Sequence, residues 1–367
     1  MSSAADDARW MARALSLGAR GQGQVWPNPA VGCILVKNGR VLGRGWTQPG
    51  GRPHGEVMAL AQAGAGARGA TAYVTLEPCA HFGKTPPCAG ALAKAGVARV
   101  VSAMQDPDPR TAGQGHQHLV DAGISLTTNV LRDKAEVAHA GFTSRILKGR
   151  PRLTLKLAAS FDGRIATASG ESKWITGPAA RHAVQGLRAS HDAVMVGAGT
   201  ARADDPALTL RGYGNRAAPV RVVVSRRLAL PADSQLARSA AEVPLWLCHG
   251  RDAPAERIAA WQALGATLIE VPLGDDRHPD PTALMQALGG RGLTRVLCEG
   301  GGMLAASLVS AGVVDQLIGF SAGLMLGAEG QPSVGPLGLS MLSEAPRYSL
   351  TESRKIGPDL MHIWDKT

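Results

Sequence analysis

In the stretch "GRPHGEVMAL", His54 and Glu56 stand two residues apart directly after Pro53, and "LEPCAHFGKTPPCAG" further on carries Cys79 and Cys88. One imidazole and two thiolates are a suitable ligand set for zinc. Three protein ligands leave the fourth tetrahedral position to water, which the metal acidifies. A carboxylate two residues from the histidine can then move protons without coordinating. Eight residues separate the two cysteines, and Pro86-Pro87, with φ pre-set, would fix the path back to the metal. Two blander readings use the same residues: ordinary buried thiols, or a closed structural zinc with His81 as fourth ligand. The second would leave Glu56 without a purpose.

The second half of the chain offers two glycine-rich turns. Gly197-Ala198-Gly199 follows a strand candidate, but Arg202 occupies the place of the third glycine of the dinucleotide fingerprint. In "VLCEGGGMLAASLV" a strand runs into Glu299-Gly300-Gly301-Gly302 and then into a helix whose first amides could hold a phosphate or pyrophosphate. Glycine turns of this kind also occur for packing alone. Cys298 reads as a buried strand residue rather than a nucleophile.

At 367 residues the chain is longer than one core usually serves, which implies two domains. Five cysteines in such a length do not make a disulfide scaffold, and in a reducing cytosol they stay thiols or metal ligands. The opening "MSSAADDARWMARALSLGAR" lacks the layout of a secretory signal, and no apolar run is long enough to span a bilayer. The expectation is a cytoplasmic protein without a membrane partner. The formal net charge of +10 comes from scattered arginines, without a basic block or basic-aromatic cluster, which favours anionic small molecules over nucleic acid.

Periodicity then supplies the elements that must hold these residues. A helix is expected over residues 6–17, and "AVGCILV" and "RVLGRGW" form a hairpin across Asn38-Gly39. A helix over "HGEVMALAQAG", a strand over "ATAYVTL", Pro78-Cys79 at the start of the next helix, a helix over "PCAGALAKAG", a strand over "ARVVSAM" and a helix over residues 132–147 follow. Gly149 and Pro151 mark a boundary, giving domains 1–149 and 150–367. Beyond it, "RLTLKLAAS", "DAVMVGA", "VRVVVS", "LWLCH", "ATLIEV" and "RVLCEG" alternate with helical segments, and "RYSLTESRKIGPDLMHIWD" closes the chain as a strand pair. Both halves read as α/β.

His-x-Glu, then a strand, then Pro-Cys is the order used by zinc deaminases. Together with "PNPAVG", "KLAASFDGRIA", "GESKWITG", "ADDPALTLR" and "CEGGG", it resembles the bifunctional riboflavin-biosynthesis deaminase-reductase family, RibD, over nearly the whole chain. The resemblance implies a cytidine-deaminase-like α/β/α sandwich followed by a dihydrofolate-reductase-like α/β domain. It implies zinc-dependent deamination of a diaminopyrimidinone carrying a phosphoribosylamino group, then NADPH reduction of the ribosyl chain to ribityl. It also implies a homodimer through the reductase domain.

Carried onto this chain, the resemblance makes His54, Cys79 and Cys88 the metal ligands and Glu56 the proton shuttle. Asn28, His81 and Lys84 become deaminase substrate contacts. NADPH is placed against Ala158, Trp174, Thr200, Asp204, Gly301 and Gly302, and the reductase substrate against Ser172, Arg188, Leu208, Arg211 and Glu299. Ser225, with Arg226 and Arg227 after the strand "VRVVV", is where a reader of the 2'-phosphate would sit by analogy with other α/β nucleotide sites. Asp204, Lys156 or water remain open as proton donors in the reduction. The chain departs from the family in two places: Gly55 stands where His-Ala-Glu is usual, and Thr47 where a histidine is usual.

Overall fold

The computed structural model describes residues 3–81 and 86–367. The chain separates into two compact units, Met1–Gly149 and Arg150–Thr367. Gly149 ends a helix in the left-handed region, with φ of 67°, and Pro151 follows before the next strand. These are the signals that stop a helix and start an extended segment.

The first unit carries helices α1 (Ala4–Gly18), α2 (Gly55–Ala63), α3 (Cys88–Lys94), α4 (Gln114–Asp121) and α5 (Arg132–Lys148). Its strands are β1 (Gly32–Lys37), β2 (Arg40–Trp46), β3 (Thr71–Val74), β4 (Arg99–Ser102) and β5 (Ser125–Thr127), in sheet order β2-β1-β3-β4-β5. β1 and β2 join through Asn38 and Gly39, both at positive φ, the two-residue turn that Asn-Gly favours. The sheet lies between two helical layers, and glycines set the spacing. A Cβ on Gly32 would stand 1.9 Å from the Ala14 carbonyl of α1, while one on Gly45, opposite Cys33, would stand 2.3 Å from the Gly55 carbonyl of α2. Neighbouring strand positions face opposite ways, so α1 and α2 cover opposite faces.

One sequence expectation fails here. Pro78-Cys79 does not open a helix: the chain is irregular there, and α3 begins only at Cys88. Cys88 is thus the first residue of α3. Pro87, extended at φ -66° and ψ 142°, caps α3 from outside, a conformation proline pre-sets.

The second unit contains strands β6 (Arg152–Ser160), β7 (Arg164–Ala166), β8 (Ala193–Gly197), β9 (Val220–Val224), β10 (Leu245–His249), β11 (Thr267–Glu270), β12 (Arg295–Cys298), β13 (Gln316–Ala322), β14 (Gln331–Pro332), β15 (Tyr348–Ile356) and β16 (Asp359–Lys366). Helices α6 (Pro178–Ala189), α7 (Ala198–Asp204), α8 (Gln235–Arg238), α9 (Ala255–Ala263), α10 (Pro281–Gly290) and α11 (Gly302–Ser310) connect them. Nine strands form one sheet, β11-β10-β9-β8-β12-β6-β13-β16-β15, parallel from β11 to β13 and antiparallel at the closing pair. The near-continuous apolar runs of β8, β9 and β12 fit strands covered on both faces. β12 lies between β8 and β6, so the carboxyl ends of all three open side by side.

Candidate active sites

In the first unit, α2 rests directly on β2, because Gly43 and Gly45 leave no side chain between them: a Cβ on Gly43 would meet the Ala59 carbonyl at 2.1 Å. This seats the start of α2, with His54 as its N-cap residue, at the end of the strand. Gly55 belongs to the same close packing, since a Cβ there would lie 2.8 Å from the Val31 carbonyl. Thr47 is buried. Its hydroxyl donates to the Pro29 carbonyl at 3.0 Å and accepts from the Val31 amide at 3.0 Å, bracing the turn that carries Asn28.

His54 Nδ1 stands 3.7 Å from Cys79 Sγ and 3.4 Å from Cys88 Sγ, and the three donor atoms lie within 4.8 Å of one another. Tetrahedral bonds of zinc length, about 2.1 Å to nitrogen and 2.3 Å to sulfur, place N and S roughly 3.6 Å apart. The donors thus have the spacing and the chemistry of a zinc site. Cys79 is lowered to about 4, foremost by its hydrogen bond with Cys88, while Cys88 is raised by the same bond and by burial. His54 is raised, chiefly by its hydrogen bond with Cys79. A dication held here would favour the thiolate form of both sulfurs.

Glu56 is 2% exposed, and its Oε2 has no hydrogen-bond partner among the described residues. Burial pushes its carboxyl up to about 7, against the pull of His54. An unpartnered buried oxygen beside the metal donors is a group kept for something that enters. Glu56, His54 and Cys79 open onto a cavity of about 480 Å³ that Asn28 and His81 also line. Asn28 donates its amide hydrogen to the Gly51 carbonyl at 2.8 Å, which leaves the amide oxygen to a ligand. Lys84 lies outside the described residues.

Sequence reasoning missed another part of the lining. Asp106, Asp108, Arg110 and Arg145 line the same cavity, and Arg110 pairs with Asp108 at 2.5 Å, holding that carboxyl down at about 2. The alternating charge in "DPDPR" was the only available signal.

In the second unit, residues from three neighbouring strand ends come together. Glu299, just after β12, pairs with Arg188 of α6 at 2.5 and 2.9 Å, and Arg188 also donates to the Thr209 carbonyl at 2.9 Å. Burial alone would raise the Glu299 carboxyl, yet the Arg188 hydrogen bonds and charge hold it below its ordinary value. Lys156 of β6 sits in the field of Glu299, Arg188 and Asp204; burial lowers its pKa while the Glu299 charge opposes. Gly301 takes φ of 93°, and a Cβ on it would stand 2.9 Å from Thr200 Oγ1, so only glycine lets this turn lie against the start of α7. Residues 332–335 cross the opening of α11, where the Gly335 amide donates to the Gly302 carbonyl.

The other expected residues are placed as follows. Ala158 continues β6 beyond Lys156. Leu208 is buried at φ of 52° with its side chain in the core. Arg211 is exposed, and its main-chain amide donates to Gln185 of α6. Ser172 and Trp174 lie between β7 and α6, with Trp174 exposed under the Arg181 guanidinium at 4.5 Å. Ser225 is buried after β9; Arg226 pairs with Asp252 at 2.5 Å, while Arg227 is exposed. Cys298 is fully buried and pushed up to about 12, as suits a packing residue.

Comparison with known proteins agrees with this division. Residues 4–104 match the model of the cytidine and deoxycytidylate deaminase zinc-binding region, and residues 151–362 match the RibD C-terminal domain. The riboflavin biosynthesis protein RibD of Escherichia coli is 42% identical over 97% of this chain and 99% of its own. An Acinetobacter baumannii RibD structure superposes with a TM-score of 0.88 at 37% identity, covering all of both chains. A Thermotoga maritima structure, described as a diaminohydroxyphosphoribosylaminopyrimidine deaminase and 5-amino-6-(5-phosphoribosylamino)uracil reductase, gives 0.86 at 30% identity over 98% of this chain and 99% of that one. A cytidine-deaminase-like sandwich with a zinc donor set, followed by a reductase unit, and sequence identity maintained across both, place the chain in the RibD family of riboflavin biosynthesis enzymes.

Proposed function

We propose that the chain performs two consecutive steps on phosphorylated pyrimidines. The first unit deaminates 2,5-diamino-6-(5-phosphoribosylamino)pyrimidin-4(3H)-one, and the second reduces the resulting 5-amino-6-(5-phosphoribosylamino)uracil with NADPH to its ribityl form. The observation that carries this reading is a donor set of His54, Cys79 and Cys88 at zinc spacing, with His54, Cys79 and the unpartnered Glu56 lining one cavity. The full-length likeness to the Thermotoga maritima protein supports the choice of substrates.

His54, Cys79 and Cys88 hold the zinc, which when bound lowers the pKa of a water ligand and so supplies the nucleophile. Glu56 would take up a proton at its unpartnered Oε2 and hand one to the departing amino group, which would leave as ammonia. The Asn28 amide orients the pyrimidine, with His81 and Lys84 as the polar contacts of the inter-cysteine segment. Removing zinc with a chelator should abolish ammonia release, adding it back should restore it, and reduction of supplied uracil substrate should continue throughout. Ammonia release that survives zinc removal would reject the metal assignment.

In the second unit NADPH, when bound, supplies the hydride that reaches C1' of the opened ribose. Ala158, Trp174, Thr200, Asp204, Gly301 and Gly302 bind the cofactor, while Ser172, Arg188, Leu208, Arg211 and Glu299 position the substrate. Lys156, with its charged form disfavoured by burial, is suited to hand a proton to the ribose oxygen. Ser225 and the exposed Arg227 mark the 2'-phosphate end. Replacing Arg226 and Arg227 with alanine should raise KM for NADPH about tenfold and leave KM for NADH nearly unchanged, the loss of one charge-assisted contact. Equal changes for both cofactors would remove the assignment.

We further propose a cytoplasmic homodimer that associates through the second unit and makes no nucleic-acid contact. Exposed Phe161, Met325 and Leu342 support the association. Among the described residues no helix is long and apolar enough to cross a membrane.

A further inference from the structure

Glu77 directly precedes Pro78-Cys79, yet its side chain points away from solvent and is 1% exposed. Its two carboxylate oxygens accept four main-chain N–H groups. Oε2 takes those of Asp106 and Gly113, both at 3.0 Å, and Oε1 takes those of Gly115 at 2.7 Å and His116 at 3.2 Å. Its own amide donates to the Met104 carbonyl at 2.9 Å. One carboxylate therefore grips both ends of the loop 106–113 and the first turn of α4, where the helix dipole also favours a negative charge.

A second contact locks the same pieces independently. A Cβ on Gly115 would lie 1.9 Å from the Pro78 carbonyl, so α4 begins in direct backbone contact with the segment that carries Cys79. Within this loop Asp106, Asp108 and Arg110 line the same cavity as His54 and Glu56.

We propose that Glu77 is a positioning residue for the deaminase, holding the loop 106–113 as the substrate-facing wall in register with the metal donors. This rests on the deaminase reading of the cavity. Glu77 reaches the edge of the same cavity but is not part of the donor cluster; it acts through the amides it accepts from. A substrate held by that wall and by the zinc side together should suffer in KM first when the wall is released, with the metal side intact.

Glu77→Gln conserves size but turns one acceptor oxygen into a donor that confronts two N–H groups. The full-length variant should keep one zinc per chain and reduce supplied uracil substrate at the wild-type rate. Its KM for deamination should rise tenfold or more, with kcat changed less than threefold. Hydrogen exchange should speed up at the amides of Asp106, Gly113, Gly115 and His116 and stay unchanged in β3 and β4. Gly115→Ala, which keeps the carboxylate but whose added Cβ would press on the Pro78 carbonyl at 1.9 Å and on Glu77 Oε1 at 3.1 Å, should show the same split, and it decides the matter if Glu77→Gln fails to fold. Unchanged KM and exchange in a folded variant, or a loss falling on kcat or zinc content, would overturn the proposal. Wild type that releases no ammonia would instead overturn the deaminase reading itself.

Discussion

Glu56→Gln should slow ammonia release about a thousandfold, in the range roughly 10²–10⁴ that a positioned general acid-base contributes, while the protein keeps its zinc and its reductase activity. The donor cluster is His54, Cys79 and Cys88, without a Glu56 oxygen, so the substitution removes no ligand. Glutamine fills the same buried space, so packing around the cavity persists. What disappears is the only group there that combines an unpartnered oxygen with a carboxyl pushed up to about 7 by burial. Zinc loss in this variant would mean that Glu56 coordinates; near-normal ammonia release would mean that another group carries the proton.

Arg188→Met should destabilise the second unit on the order of 3–5 kcal/mol, the usual cost of stranding one member of a buried ion pair. Both side chains are close to fully buried, and the contact is bidentate. Adding Glu299→Gln removes the stranded charge and should recover part of the loss, so the two substitutions are strongly non-additive. Denaturant unfolding followed through Trp261, buried in this unit, reads the effect. The pH dependence has a definite sign. Glu299 is held below its ordinary value in the folded state, so the stability from the pair is full above about pH 4.3 and is lost as pH falls through the folded-state pKa. A cost below about 1 kcal/mol would show that water reaches the pair.

The residues of the metal site were legible because zinc accepts few side-chain types and His54-x-Glu56 is a short local pattern. Helices and strands were legible wherever one face is apolar, and Asn38-Gly39 marked its turn directly. The opening at Pro78-Cys79 misled because a proline followed by small residues resembles a helix start, whereas Pro78 and Cys79 are irregular and α3 begins at Cys88. β13 was missed because "QLIGFSA", with a central glycine, has no clear alternation. The role of Glu77 was invisible for a different reason. Its four partners lie 29 to 39 residues further on and are backbone groups, which leave no trace in residue identity. Arg188 and Glu299, 111 residues apart, were each expected near the reductase substrate through the resemblance, but their pairing with one another emerged only from the fold. Neither departure from the family pattern leaves a defect in packing: Gly55 fits a close helix-strand contact and Thr47 saturates its hydroxyl on the turn at Pro29.

The central claim is that one chain deaminates a pyrimidine at a zinc site and then reduces the product. The most direct test supplies wild-type protein with the diaminopyrimidinone phosphate and NADPH and follows ammonia and NADPH together. We expect ammonia to appear first and NADPH consumption to follow after a lag, approaching one NADPH per ammonia, with no NADPH consumed when zinc is removed beforehand. NADPH consumption without ammonia, or ammonia release that is never followed by reduction, would contradict the account.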